Sequence, residues 1–400
     1  MQKQAAPSAI RLNAAHALLT ALDGRQAIKC ADCLEGSRQE RNLTIDANLP
    51  ADSGDAASPS SGKRPAVSFA GVSMTHLFPA EWAPQDRLWI GFPGDPAEWP
   101  RALPDAQRQA ATFATAVAER GQAVSLLACT AEDAAIARAL TSSTVEVVHM
   151  PFGDIWLRDT GPLGVVGPDG ARALADFDFN GWGGKFDMPG DADIGARIAA
   201  ATGLPCRHVP MIFEGGAIDT DGTGLFATTE QCLLNPNRNP SLDRRQIETI
   251  LAGALGLSSM LWLGDGLLHD HTDGHIDNLA RFVAPGVIAV PQASMDDDPN
   301  AAIFADASAR ARAFGLEVAP MPSVGRYTID GEIVPASYMN FCITNRAVIV
   351  PQYGAPNDSA ALAALAPFFP ERDLVGLPSD AILRGGGSFH CMSQHLPAAS

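Results

Sequence analysis

The sequence predicts an α/β fold made of repeated strand–turn–strand–helix units. Three observations predict it. Apolar runs of strand length alternate with segments of helical spacing from residue 87 onward. After residue 150 one pattern recurs four times: a polar residue, a strand, a Gly/Pro/Asn turn and a second strand. The last two copies share the ending Val-Pro-Gln, at 290–292 and 350–352. Units of this kind need neighbours to bury their apolar faces, so the pattern implies radial pseudo-symmetry with the strand starts near one axis.

The N-terminal 73 residues differ in texture. They are rich in Ala, Ser, Gln and Asp, and 51–62 is a Ser/Asp/Pro/Ala/Gly tract. We read 1–73 as a disordered extension, with Met74 an alternative start, and 74–400 as a single catalytic domain. The apolar patch 14–22 makes a poor secretory signal, with few basic residues ahead of it and no convincing cleavage site after it. Beyond Pro79-Ala80-Glu81-Trp82, the patterning gives a strand at 87–92 and a helix at 102–120. A strand at 123–128, a helix at 131–140 and a strand at 144–150 follow.

In the repeats, Asp159 precedes strands 163–166 and 173–179, and Glu214 precedes 217–219 and 225–228. His275 and Asp277 precede 279–283 and 287–292, and Asn340 precedes 341–343 and 347–352. Helical segments at 191–202, 242–255, 300–314 and 358–368 separate the copies.

Composition excludes several classes. Hydrophobic residues are 46% and charged residues 18%, enough for a large core. The net charge of −17 argues against nucleic acid and against an anionic membrane surface. No apolar run reaches the roughly 18 residues of a membrane span. Seven scattered cysteines suit a reducing, cytoplasmic compartment rather than a disulfide framework, and Cys30-Ala-Asp-Cys33 is a lone pair of weak meaning.

The chemistry centres on Gly385-Gly386-Gly387-Ser388-Phe389-His390-Cys391. Consecutive glycines permit positive φ and close approach to a ligand. A single cysteine is by default a small buried hydrophobe, but this one has company. If the repeat starts converge, Asp159, Glu214, His275, Asp277 and Asn340 meet Cys391. Carboxylates blunt a thiol, so the set makes sense when the substrate brings the positive charge. A guanidinium matches carboxylates in pairs, each worth about 4 kcal/mol at 4 Å and an effective dielectric near 20. Cys391 would attack its central carbon and His275 would move the protons. No metal or other cofactor is required.

These motifs resemble the agmatine deiminase family, within the guanidine-modifying superfamily of five-bladed α/β propellers. The likeness covers 78–397. It rests on Pro79-Ala80-Glu81-Trp82, Trp156-Leu157-Arg158-Asp159-Thr160-Gly161-Pro162 and Phe179-Asn180-Gly181-Trp182-Gly183-Gly184-Lys185. It rests also on Glu214-Gly215-Gly216, Asp273-Gly274-His275-Ile276-Asp277-Asn278, Pro335-Ala336-Ser337-Tyr338-Met339-Asn340-Phe341 and the Cys391 segment. The resemblance implies Cys391 as nucleophile and His275 as general acid/base. It implies Asp159, Asp277 and Glu214 as guanidinium ligands, Trp156 as a wall of the substrate channel and Asn340 as support. Agmatine is the expected substrate, a small cationic guanidine. The sequence departs from the family's Asn-Ile-His-Cys at Ser388-Phe389-His390-Cys391, and Asp270-His271-Thr272 is unusual.

Arginine, free or peptidyl, is the second reading; it requires a cation for its carboxylate, with Arg158 and Lys185 as candidates. A rival chemistry is zinc hydrolysis through His269, His271 and His275. Residues 269–275 read H-x-H-x-D-x-H, similar to the metallo-β-lactamase signature with one residue inserted. A catalytically silent binding protein is the third class. The sequence does not fix the assembly; a homodimer is one expectation.

Overall fold

In the computed structural model, residues 76–186 and 188–399 are described. The expectations for 1–73, and for Cys30 and Cys33, lie outside them. Among the described residues, eighteen strands form five sheets of three or four strands and one short hairpin. Four of the sheets have a common plan. In the first, β4 (Leu163–Val166) runs antiparallel to β5 (Arg172–Asp178), which is parallel to β6 (Cys206–Ile212). The second joins β7 (Ile218–Thr220), β8 (Leu225–Thr229) and β9 (Ser259–Leu263) in the same way. The third joins β10 (Arg281–Ala284), β11 (Val287–Gln292) and β12 (Glu317–Pro322).

The hairpin β13 (Thr328–Ile329) and β14 (Glu332–Ile333) intervenes before β15 (Cys342–Ile343), β16 (Ala347–Gln352) and β17 (Asp373–Pro378) repeat the plan. The remaining sheet draws on both ends of the described chain. β1 (Gln85–Gly91), β2 (Ala123–Ala128) and β3 (Glu146–His149) are parallel, and C-terminal β18 (Ser393–Pro397) pairs antiparallel with β1.

The repeating unit is therefore strand–strand–helix–strand. The third strand of each unit escaped the sequence reading: β6 and β12 bury only two positions each and β17 none, while β9 was missed although four of its five residues are buried. By contrast β11 and β16 are central strands with almost every position buried, and their apolar runs gave them away.

Helices α1 (Leu103–Ala118), α2 (Ala131–Leu140), α3 (Asp191–Thr202), α4 (Arg244–Leu255), α5 (Ala301–Phe314) and α6 (Asp358–Leu365) make the parallel crossovers. Local chemistry sets their ends. Asp243 and Gln246 form a capping box at the start of α4, and Gly256 in the left-handed region stops it. Thr130 caps α2 by accepting from the Asp133 N–H. On α1 the buried Ala106, Ala110, Phe113, Ala114 and Val117 follow helical spacing and face β2 and α2. None of the described helices is long and apolar enough to cross a membrane.

The apolar core lies between the units. One cluster joins Leu163, Val165 and Val209 of one unit to Phe226, Ile247 and Leu251 of the next. Another joins Leu225, Leu261 and Leu263 to Phe282, Ile288 and Phe304. At the polar centre Arg281, fully buried, is held by Glu81 at 2.6 Å, Asp219 at 3.2 Å and the Phe341 carbonyl at 2.9 Å. One side chain thus ties the entry segment to three units.

Candidate active site

The polar residues expected at strand starts sit one step earlier. Asp159 lies in the one-turn helix Leu157–Thr160 ahead of β4, and Asp277 in the one-turn helix Ile276–Leu279 ahead of β10. Glu214 immediately precedes the tight turn Gly215–Ala217 ahead of β7, without a side-chain cap. A short turn before each unit swings its polar side chain inward, where a strand would have sent alternate residues to opposite faces.

The Gly385–Gly387 run does less through backbone freedom than its composition suggests. Gly386 alone among these glycines has positive φ, at 117°. The other two clear space. A Cβ on Gly385 would stand 2.5 Å from the Trp99 ring, and one on Gly387 would stand 2.8 Å from Trp156 and 3.1 Å from Cys391 Sγ. Trp156, tilted by 44° against Trp99 at 6.4 Å, therefore flanks the sulfur with only the glycine edge between them.

Asn340 clasps the cysteine. Its Oδ1 accepts from the backbone N–H of His390 at 3.1 Å and of Cys391 at 3.2 Å. Its Nδ2 donates to Sγ at 2.9 Å and to Asn278 Oδ1 at 3.0 Å. Sγ also lies 3.4 Å from Asp277 Oδ2. Asp159 accepts from Trp182 Nε1 and from the Gly216 N–H, both at 2.9 Å, and stands 3.6 Å from His275 Nδ1. Gly216 is the hub: a Cβ there would lie 2.6 Å from His275 Nδ1, 2.7 Å from Asp159 Oδ1 and 3.1 Å from Asp277 Oδ2. Glu214 and His275 share a second cluster with Cys232, one ligand atom of each lying within 4.8 Å of the others. Cys391, His275, Asp277, Glu214, Asp159 and Asn340 thus converge on one buried centre.

Four atoms at this centre lack partners although buried: Glu214 Oε2, Asp277 Oδ1 and both ring nitrogens of His275. Buried polar atoms are rarely left so, and a set of them around a thiol marks a ligand's place. Electrostatics agree. Burial raises the Cys391 thiol well above its ordinary range, and Asp277 and Asp159 add to the shift. Burial, then Asp277, raises the Asp159 carboxyl likewise. Burial raises Glu214 against the pull of Arg238, and pushes His275 down to about 3. Asp277 is different: burial pushes it up, but the hydrogen bond and charge of His390 outweigh that and leave it below its ordinary value. Burial thus drives the thiol and the Asp159 and Glu214 carboxyls toward their neutral forms, while Asp277 is held below its ordinary value. A bound cation would favour ionised acids and thiolate.

Sequence reasoning missed the supports of these residues. His390 places Nδ1 2.7 Å from Asp277 Oδ2 and Nε2 2.8 Å from Glu81 Oε2. Burial raises Glu81, but Arg281 and His390 carry it well below its usual value. Arg238 holds the other oxygen of Glu214 at 3.0 Å and also pairs with Asp273. Trp182, at φ 53° inside the Gly181–Gly184 turn, aims its indole at Asp159. Glu81, His390 and Trp182 stood in quoted motifs; Arg238 had only a polar Asn-Pro-Asn-Arg run to signal it.

The two candidate cations for a substrate carboxylate are engaged. Arg158 is 2% exposed and contacts the His390 carbonyl, Gln394 and His395, while its Nη2 stands 3.8 Å from Glu81 without a hydrogen-bond partner. Lys185 pairs with Asp273 and the His271 carbonyl, each at 2.6 Å. The zinc triad of the rival reading is not gathered: His275 is buried, while His269 and His271 are exposed. The group of metal-capable side chains found among the described residues is Glu214, Cys232 and His275.

A thiol, an imidazole and an acid cage at the entry turns of α/β units define a cysteine-centred deiminase-type protein. Comparisons with known proteins agree. The family model of Porphyromonas-type peptidyl-arginine deiminases matches residues 77–397, and the chain belongs to that family. It is 36% identical over 353 residues to the agmatine deiminase of Stutzerimonas stutzeri, covering 81% of this chain and 96% of that one. The agmatine deiminase of Enterococcus faecalis superposes with a TM-score of 0.77 at 30% identity, covering 82% of this chain and 99% of that one. A Cys→Ser form of the C. jejuni agmatine deiminase, solved with substrate bound, gives the same TM-score and identity, covering 82% of this chain and 97% of that one. The mixed α/β fold is shared with these enzymes.

Proposed function

We propose that this protein hydrolyses agmatine to N-carbamoylputrescine and ammonia. The observation that carries the proposal is the set of buried, unpartnered acceptors around the Cys391 thiol. A guanidinium entering there gives Glu214 Oε2 and Asp277 Oδ1 their missing donors, with Asp159 completing the cage. Its charge offsets the carboxylates that hold the thiol neutral. The Cys391 proton passes to His275, and the thiolate attacks the guanidinium carbon. The tetrahedral adduct collapses, expelling ammonia protonated by His275 and leaving an amidino-thioether. His275 then takes a proton from water as its oxygen attacks the same carbon, and sulfur departs as the ureido product forms.

The engagement of Arg158 and Lys185 favours agmatine, which has no carboxylate, over arginine. The second reading, arginine or peptidyl-arginine, is supported by the description of the matching family. Ammonia release from agmatine, arginine and a peptide ending in arginine, measured side by side, decides. A preference for agmatine by kcat/KM supports the proposal, and turnover of arginine or peptide alone overturns it.

Five sheets, one of them completed by a C-terminal strand, support five blades around the polar centre. We take 74–400 as one catalytic domain and assign the enzyme to the reducing cytoplasm that a working thiol needs.

A further inference from the structure

Cys232 has no part in the reaction above, yet it stands beside Glu214 and His275, two of the residues whose buried atoms lack partners. The geometry points to a site for a thiophilic divalent cation such as Zn2+, formed by Glu214, Cys232 and His275, whose occupancy shuts the enzyme off. The three ligand atoms lie within 4.8 Å of one another, and all three residues are fully buried. Glu214 Oε2 and both nitrogens of His275 have no hydrogen-bond partner.

The donor types suit zinc. It takes thiolate sulfur at about 2.3 Å and imidazole nitrogen or carboxylate oxygen at about 2.0–2.2 Å. A tetrahedral set at those lengths has edges of roughly 3.3–3.8 Å, so about an ångström of closing completes the site. A thiolate and a carboxylate neutralise the dication, and three protein ligands leave the fourth position to water. The thiol proton leaves to the solvent as the metal binds.

The ligands are held in place from outside. Thr229 Oγ1 accepts from the Cys232 N–H at 3.3 Å and donates to the Gly274 carbonyl at 2.6 Å, tying the cysteine's turn to the residue before His275. Arg238 fixes Glu214 through its other oxygen, Oε1, leaving Oε2 for the metal. The cations nearby, Arg238 and Lys185, oppose a dication, but both are paired with Asp273.

Blockade of turnover rests on the proposed function, because the metal takes Glu214 from the substrate and His275 from the proton transfers. Inhibition by Zn2+ should then be competitive with agmatine. Binding itself is measured apart from turnover, by Zn2+ titration against a chromogenic chelator and by Co2+ titration for a thiolate-to-metal charge-transfer band. The full-length chain is compared with Cys232→Ala, Cys232→Ser and Cys391→Ala. Wild type and Cys391→Ala should each bind one Zn2+ per chain and show the band. Losing a direct ligand costs at least what losing an outer partner costs, roughly 10–100-fold in affinity. Both Cys232 variants should therefore bind at least about tenfold more weakly, lack the band and resist Zn2+, while zinc-free Cys232→Ser turns over near the wild-type rate. If Cys232→Ala does not fold, Cys232→Ser carries the comparison. The site is overturned if the Cys232 variants bind and are inhibited like wild type, or if Cys391→Ala loses the metal. Zinc binding as expected in a protein that turns over no guanidine would overturn the reaction and leave the site standing.

Discussion

The Nδ1 of His390 sits 2.7 Å from Oδ2 of Asp277, and this contact keeps the acid charged in a fully buried place. The far side of the same ring rests on Glu81, itself anchored by Arg281. The centre thus sets an acid held below its ordinary value, backed by an ion network, beside carboxyls that burial drives toward the neutral form.

Replacing His390 by Asn should expose that dependence. Without the ring, burial dominates and the Asp277 carboxyl rises. A hydrogen bond to a charged group is worth about 1.5–3 kcal/mol, so kcat/KM for agmatine should fall roughly 10–100-fold. Because Asp277 would then take up its proton at higher pH, the acid limb of the kcat/KM profile should move upward. A uniform drop with no displaced limb would count against this positioning role.

Cys391→Ala should lose several orders of magnitude in turnover while unfolding as wild type does. In the wild-type protein the thiol is held above its ordinary range by burial and by Asp277 and Asp159. Inactivation by iodoacetamide should therefore be slow at neutral pH and climb steadily into the alkaline range. Fast, pH-independent alkylation would contradict it.

Gly387→Ala tests the close approach. The added methyl would meet Trp156 at 2.8 Å and Sγ at 3.1 Å, at a residue whose φ is not positive. The cost falls on sulfur placement rather than backbone strain. Turnover should drop by about two orders of magnitude, since roughly 1 Å of misplacement is worth that much. Circular dichroism should be unchanged. Wild-type activity would show that the sulfur tolerates the displacement.

Arg281→Met should be costly to stability. It strands Glu81 and Asp219, each almost fully buried, and a broken buried pair costs about 3–5 kcal/mol. Urea unfolding measures the loss. A change under about 1 kcal/mol, the range of exposed pairs, would mean the network is not holding the units together.

His395→Asn isolates a pH effect on stability. Burial and the Arg158 charge push His395 from 6.5 down to about 3. Between those values the unfolded chain binds a proton that the native state refuses, so this group lowers stability as pH falls from 6.5 toward 3. The penalty approaches about 1.4 kcal/mol per pH unit. Neutral in both states above 6.5, it contributes nothing there. The stability difference between variant and wild type should therefore shift in the variant's favour as pH falls from 7 to 5, and a pH-independent difference would refute it.

Much of the fold was legible because apolar runs and turn chemistry are local. The bounds of β2, α2, β4, α3, β11 and β16 follow from the sequence residue for residue. Asp159, Glu214, His275, Asp277, Asn340 and Cys391 could be named as a group because each opens a repeat or closes the chain, and repeats of one plan bring equivalent positions together. What the sequence could not supply was everything set by partners hundreds of residues away. That β18 completes the first sheet, that Asn340 clasps Cys391 and that His390 bridges Asp277 to Glu81 depend on contacts 50 (Asn340 to His390) to 312 (Gln85 to Pro397) residues apart in the chain. Charge state follows from the same contacts. Whether a carboxyl is ionised depends on burial and on which cation reaches it. Those quantities exist only once the chain has closed on itself.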